Sequence, residues 1–291
     1  MRPSRSPVLW FFTLACVLAG AGKCFVDLYL AHRFPLMTWA RCAPYLTGTS
    51  PSIAGLLMVI WLYGWRGVPK LVLQLNLRPI NKTWRMLTVC LLLPLGVAVL
   101  TVSVLARFGF TAPHLAPHWL TGYLYTAVIG EGFAGAGLFE EIGWRGFALP
   151  HLQRRYSALV SSLIIGLVWA CWHFQNFFAL DPFPVFVDPF PWTEVMIYVP
   201  TVMVYSVIFT WVYNSTEGSL SAVVVLHGAI DAQEHLFSWG DLPKQAVPPQ
   251  MWLGLPYLVI AAGLVWRYGA TNLSWRNRVV AGKEKTPTES G

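Results

Sequence analysis

The chain has 291 residues, 56% of them apolar and only 11% charged, with a formal net charge of +7. A soluble domain of this size carries about a quarter charged residues, because its whole surface must face water; a water-exposed globule is therefore excluded. The basic excess would suggest nucleic acid in a soluble protein, but here it sits in loops and tails between apolar blocks. It reads as topology charge facing the cytoplasm, with membrane lipids as neighbours and no nucleic-acid partner.

The apolar residues fall in blocks near the ~17–25 residues that cross a hydrocarbon layer. In chain order they lie at about 8–30, 48–64, 84–106, 119–149, 157–179, 193–213, 217–238 and 251–268. The expected fold class is all-α: a polytopic membrane protein of about eight transmembrane helices. Residues 1–270 would form a single transmembrane domain and 271–291 a short polar cytoplasmic tail. The first block follows Arg2 and Arg5, as a signal peptide would. It is read instead as an uncleaved span, because apolar residues continue through Ala31. Trp10, Trp61, Trp65, Trp84, Trp119, Trp192, Trp252 and Trp266 stand near block ends, as interfacial anchors do. Asp181 through Pro191 is too rich in proline to be helical throughout and reads as a connector or lip. With the N-terminus in the cytoplasm, fifteen Lys and Arg fall on that side and four on the other, which places both termini there. Cys16, Cys24, Cys42, Cys90 and Cys171 are odd in number and widely spaced, and are expected to be buried free thiols.

Three blocks carry groups that hydrocarbon rejects, at a cost of ~2.5–3.5 kcal/mol each. The fourth contains Glu140, Glu141 and Arg145. Glu141 and Arg145 are four apart and share a helix face, so they can pair. Glu140 is turned by about 100° and is free to take a proton. Gly132, Gly135, Ala136 and Gly137 would admit a close neighbouring helix. Glu131 is less distinctive and is expected to be paired or near water. The bland alternative for this block is a charge cluster at a helix end. The fifth block carries His173 one turn after Trp169; such a histidine is equally a hydrogen-bonded structural residue. The seventh carries His227 and Asp231, again four apart, which could be an intrahelical pair and no more; Glu234 and His235 lie nearer its end. At ~1.5 Å rise per residue, Glu140 and His227 lie roughly 15 Å from the cytoplasmic ends of their blocks, and His173 roughly 24 Å. A shared hydrated cavity accounts for all three blocks together, although His173 comes out deeper than its partners.

At these residues the sequence resembles the CAAX prenyl endopeptidase and bacteriocin-processing family of intramembrane proteases. Its Glu-Glu-x-x-x-Arg motif matches Glu140, Glu141 and Arg145. Its Phe-x-x-x-His motif matches at His173, with Trp169 in place of Phe, and its His-x-x-x-Asn/Asp motif matches His227 and Asp231. The resemblance covers about residues 119–240. It implies hydrolysis of a peptide bond in or beside the membrane, in a peptide or membrane-protein substrate that is prenylated in some members. It implies Glu140 as the base activating water, His173 assisting, His227 and Asp231 at the oxyanion, and Glu141 with Arg145 as structural or substrate-positioning. Zinc is a conceivable cofactor, held by Glu140, His173 and His227 with an open position, but no HExxH signature is present. Asp231 departs from the Asn of many members, and an ionised carboxylate donates no hydrogen bond. It would be neutral, or orient and charge His227, or bind metal; the second is preferred. The non-enzymatic alternative is a membrane scaffold or bacteriocin self-immunity protein of the same fold. A proton-coupled transporter would more often show inverted repeats and broken paired helices.

Overall fold

A computed structural model describes residues 7–30, 43–75, 80–109, 114–174, 178–180, 184–186, 192–233, 236–238 and 249–275. Glu234, His235, most of the proline-rich connector and residues 276–291 lie outside the described residues.

Every expected apolar block carries helix. The first three are α1 (Pro7–Leu30), α2 (Ala43–Tyr63) and, after a short helix α3 (Val68–Val72), α4 (Ile80–Arg107). The fourth is α5 (Trp119–Tyr125), α6 (Ala136–Glu141) and α7 (Leu149–Leu152), joined by underwound turns. Then come α8 (Ala158–Trp172), α9 (Trp192–Ser215), α10 (Leu220–Ala232) and α11 (Pro249–Tyr268). Strands are minor. β1 (His114–Leu115) and β4 (Phe237–Ser238) pair antiparallel, with His114 opposite Ser238. β2 (Phe178–Leu180) and β3 (Pro184–Phe186) form a small hairpin in the proline-rich connector, with Leu180 opposite Pro184.

Among the described residues, four helices are long and apolar enough to cross a bilayer singly: α1, α2, α4 and α9. α8 and α10 are shorter, with 15 and 13 residues, or about 20–23 Å at 1.5 Å per residue. Their blocks were expected to run helical to about 179 and 238, but the helices stop at Trp172 and Ala232. α10 makes up for its length by position: every residue from Leu220 to Ile230 is buried. A helix apolar on all sides belongs inside a bundle, where protein takes the place of lipid. It packs on α4, α6, α9 and the turns of the fourth block. The outer faces of α1, α2, α4 and α11 expose large apolar residues, as a lipid-contacting surface must. Trp10, Trp61, Trp65, Trp84, Trp192 and Trp266 are all exposed. Cys16, Cys24 and Cys171 are also exposed, against expectation, and Cys90 is buried; these four are free thiols, and Cys42 lies outside the described residues. They sit on outer helix faces that a lipid environment permits to be apolar.

The fourth block departs from the single continuous helix that its hydropathy suggested. Residues 126–133 and 142–148 form wide π-type turns, and the chain breaks at Gly135 (φ −132°, ψ −147°). Glycine-rich sequence favours the break, because glycine constrains the backbone least. Glu131 helps to close it: its Oε2 accepts the backbone N–H of Ala136, the first residue of α6, at 3.5 Å. Breaks of this kind survive in a membrane only where protein surrounds them. Here α10 covers one side and α2 the other. A Cβ on Gly228 of α10 would stand 2.3 Å from the Ala127 carbonyl oxygen, and one on Gly143 would stand 2.2 Å from that of Pro51 in α2. Gly228→Ala must therefore push backbone apart. It is expected to cost about 1–3 kcal/mol, read as a lowered unfolding midpoint of the detergent-solubilised protein.

Candidate active site

Two adjacent carboxylates close α6, and they face different surroundings. Glu141 is fully buried. Its Oε1 accepts a hydrogen bond from Arg145 at 3.0 Å and lies 2.9 Å from Nδ1 of His227, brought in by α10. Arg145 is also fully buried, and its second arm donates to Ser206 Oγ of α9 at 3.1 Å. Ser206 in turn donates to the Ser162 carbonyl of α8 at 2.8 Å. The guanidinium lies over the rings of Phe209 and Trp169, at 4.7 and 5.0 Å. Ring faces attract such a cation, more strongly when water is excluded. One Glu–Arg pair thus ties α6 to α8, α9 and α10.

Glu140 lines a cavity of about 190 Å³ shared with His173, Tyr198, His227 and Asp231. Its Oε2 accepts the indole N–H of Trp169 at 2.6 Å. His173 stands where α8 ends, and its Nδ1 is 3.1 Å from the Trp169 carbonyl oxygen. A carbonyl can only accept, so Nδ1 carries the proton, and in the neutral ring Nε2 keeps a free lone pair. The ring sits edge-on to Trp172 and Tyr198. His227 is fixed in the same way: Nδ1 donates to Glu141, which leaves Nε2 on the side of Asp231. Asp231 Oδ2 is 3.6 Å from that nitrogen. That distance allows charge attraction and exceeds a hydrogen bond.

The structure therefore brings Glu140, His173, His227 and Asp231 to one cavity, from three separated blocks. The extra depth of His173 disappears because α8 ends beside it and the fourth block is broken. The structure adds a partner for His227 that the sequence did not suggest. Asp231 was expected to orient or charge His227, and it stands beside Nε2; a second carboxylate, Glu141, 86 positions away, takes the Nδ1 hydrogen bond. Trp169 supplies a donor as well as an aromatic ring, which a Phe would not. Sequence reasoning passed over Ser162, Tyr198, Ser206 and Phe209. A serine within the apolar run of α9 was the one available signal, and serine is common at membrane helix contacts.

Residues 124–233 match the family described as type II CAAX prenyl endopeptidase Rce1-like. The match covers 110 of the 291 residues, under half of the chain. It opens in α5 and closes just after α10, so it contains every polar residue of the cavity discussed above. CAAX prenyl protease 2 of Methanococcus maripaludis is 28% identical over 104 residues, which cover 35% of this chain and 38% of that protein. The chain thus matches well under half the length of that relative. Whether the cavity could hold zinc is a matter of ligand placement. Among the described residues, no three His, Cys, Asp or Glu side chains are grouped so as to hold a metal ion. Nδ1 of His173 and of His227 is hydrogen-bonded, which leaves each Nε2 toward the cavity, and Glu140 is bonded to an indole. Glu140, His173 and His227 nonetheless line one cavity.

Proposed function

We propose that the chain is a membrane-embedded endopeptidase of the CAAX-processing type, in which Glu140 activates water. The observation that carries this reading is one buried cavity with a carboxylate and two imidazoles whose ring orientations are fixed from behind. A general base has to reach water while the rest of the site stays dry. Glu140 takes a proton from the water, and the resulting hydroxide attacks the scissile carbonyl carbon. His173 offers Nε2 as a second acceptor that helps to hold the water. His227, donating at Nδ1 to Glu141 and flanked by Asp231, donates from a protonated Nε2 to the developing oxyanion. Glu140 then returns the proton to the departing amine. Glu141 and Arg145 position His227 and stay clear of the reacting atoms. The substrate is a peptide or membrane-protein terminus reaching the cavity within the bilayer, and prenylated CAAX peptides are the first class to try.

The basic excess on one face supports both termini lying in the cytoplasm, with eight spans counted by blocks. The short α8 and α10 then complete their crossings inside the bundle.

The test is cleavage by purified protein of a peptide panel that includes prenylated and unprenylated CAAX sequences, with and without chelator. Cleavage that survives chelation supports a glutamate–histidine site. Loss on chelation and recovery with zinc would replace it with a metal site. Failure to cleave any peptide would return the chain to the scaffold or self-immunity reading.

Trp169 gives a sharper test. Trp169→Phe keeps a ring beside Arg145 and His227 but removes the N–H that holds Glu140. The bond is short and made to a charged group, worth about 1.5–3 kcal/mol. A fall in kcat of roughly tenfold to a hundredfold is expected, with KM little changed.

A further inference from the structure

A second cavity, of about 740 Å³, opens where α2 and α3 meet α7. It shares no lining residue with the first. Its wall carries three cations, Arg66, Lys70 and Arg154, and no acidic residue. Among the described residues none of these three has an ion-pair partner. All three are solvent- or headgroup-accessible. Like charges gathered round a hollow repel one another, and an anion between them relieves that cost. The frame of the cavity is fixed by neutral contacts. Tyr63 donates to His151 Nε2 at 3.0 Å, and His151 Nδ1 donates to the Phe147 carbonyl at 2.7 Å. Tyr213 donates to Gln74 Oε1 at 2.9 Å across the opposite edge.

The surroundings indicate the kind of anion. Trp65, next to Arg66 in the chain, is 76% exposed. Such tryptophans mark the headgroup level of a bilayer. Val72 and Leu73, beside Lys70, are 56% and 65% exposed. An apolar rim next to a cluster of cations suits a molecule with a charged head and acyl tails. We infer that this cavity binds a phosphate group, presented by an anionic phospholipid whose tails lie along α3. The same phosphate chemistry would admit a soluble phosphate, and the test separates the two sources.

The experiment counts bound lipid on the purified full-length chain by native mass spectrometry, with phosphatidylglycerol and phosphatidylcholine as probes. Wild type is expected to prefer phosphatidylglycerol. Each Lys or Arg near an anionic lipid strengthens binding by roughly fivefold. The triple variant Arg66→Gln/Lys70→Gln/Arg154→Gln should therefore lose about a hundredfold, and the charge-retaining Arg66→Lys/Arg154→Lys should keep most of the preference. Arg154→Gln alone, at an exposed position, should lose roughly fivefold, which keeps the test open if the triple variant folds poorly. Inorganic phosphate is added as competitor. If it fails to displace the lipid, the lipid source stands; if it displaces the lipid at low concentration, the site is a phosphate site served from solution. Equal binding of phosphatidylglycerol and phosphatidylcholine by wild type, or undiminished preference in the variants, would overturn the proposal.

Discussion

Glu140→Gln is expected to remove cleavage while leaving the protein folded. The substitution preserves the size and shape of a 4% exposed side chain, so the cavity keeps its outline. It can still accept the Trp169 indole N–H through its amide oxygen, so the contact at 2.6 Å has no reason to break. What it loses is the ability to take a proton. A positioned general base contributes about 10²–10⁴ in rate, and that is the loss expected in kcat, with an unchanged unfolding midpoint. Glu141→Gln makes the informative comparison. It weakens the hold on both Arg145 and His227, so it should lower stability as well as rate. If Glu140→Gln cleaved at the wild-type rate, Glu140 could not be the base. The cavity would then have to work through His173 or His227 alone.

The division between what the sequence disclosed and what it hid follows from the range of the interactions. Membrane helices announce themselves locally, since each must be apolar for its own length, and all eight blocks carry helix. Glu141 with Arg145, and His227 with Asp231, are one helical turn apart and were legible for the same reason. Legible too was the incompatibility of three polar clusters with lipid, and hence their convergence. The bonds that give each group its separate surroundings join residues from different helices. The contact of Trp169 with Glu140 spans 29 positions, and that of His227 with Glu141 spans 86. No periodicity encodes these. The break at Gly135 was hidden for another reason. Hydropathy measures whether a segment suits the membrane interior, and a broken helix packed against α2 and α10 suits it as well as a straight one. Gly132, Gly135, Ala136 and Gly137 were read as a packing surface. Gly132 and Gly137 serve that role against Val224 of α10, and the glycines also loosen the backbone before Glu140.

Removing Arg145 should be the most destabilising single change in the bundle. Arg145 and Glu141 are both fully buried, and the exchange is unequal. A buried pair roughly offsets its own desolvation, whereas deleting one partner strands the other; the cost is about 3–5 kcal/mol. Arg145→Met would leave the Glu141 carboxylate with His227 alone, and Glu141 Oε2 already has no partner among the described residues. It would also release Ser206 and empty the space over Phe209 and Trp169. The double variant Glu141→Leu/Arg145→Met removes both charges, and apolar replacement of a buried pair is often neutral or better. Unfolding measurements should therefore show most of the lost stability returning in the double variant. Cleavage should stay low, because His227 Nδ1 has lost its acceptor and the ring is no longer held with Nε2 at the cavity. Recovery of stability without recovery of rate would separate the two tasks of Glu141, anchoring the bundle and aiming an imidazole. If rate returned together with stability, the hydrogen bond at 2.9 Å would be a packing contact only, and the aiming of His227 would fall to Asp231.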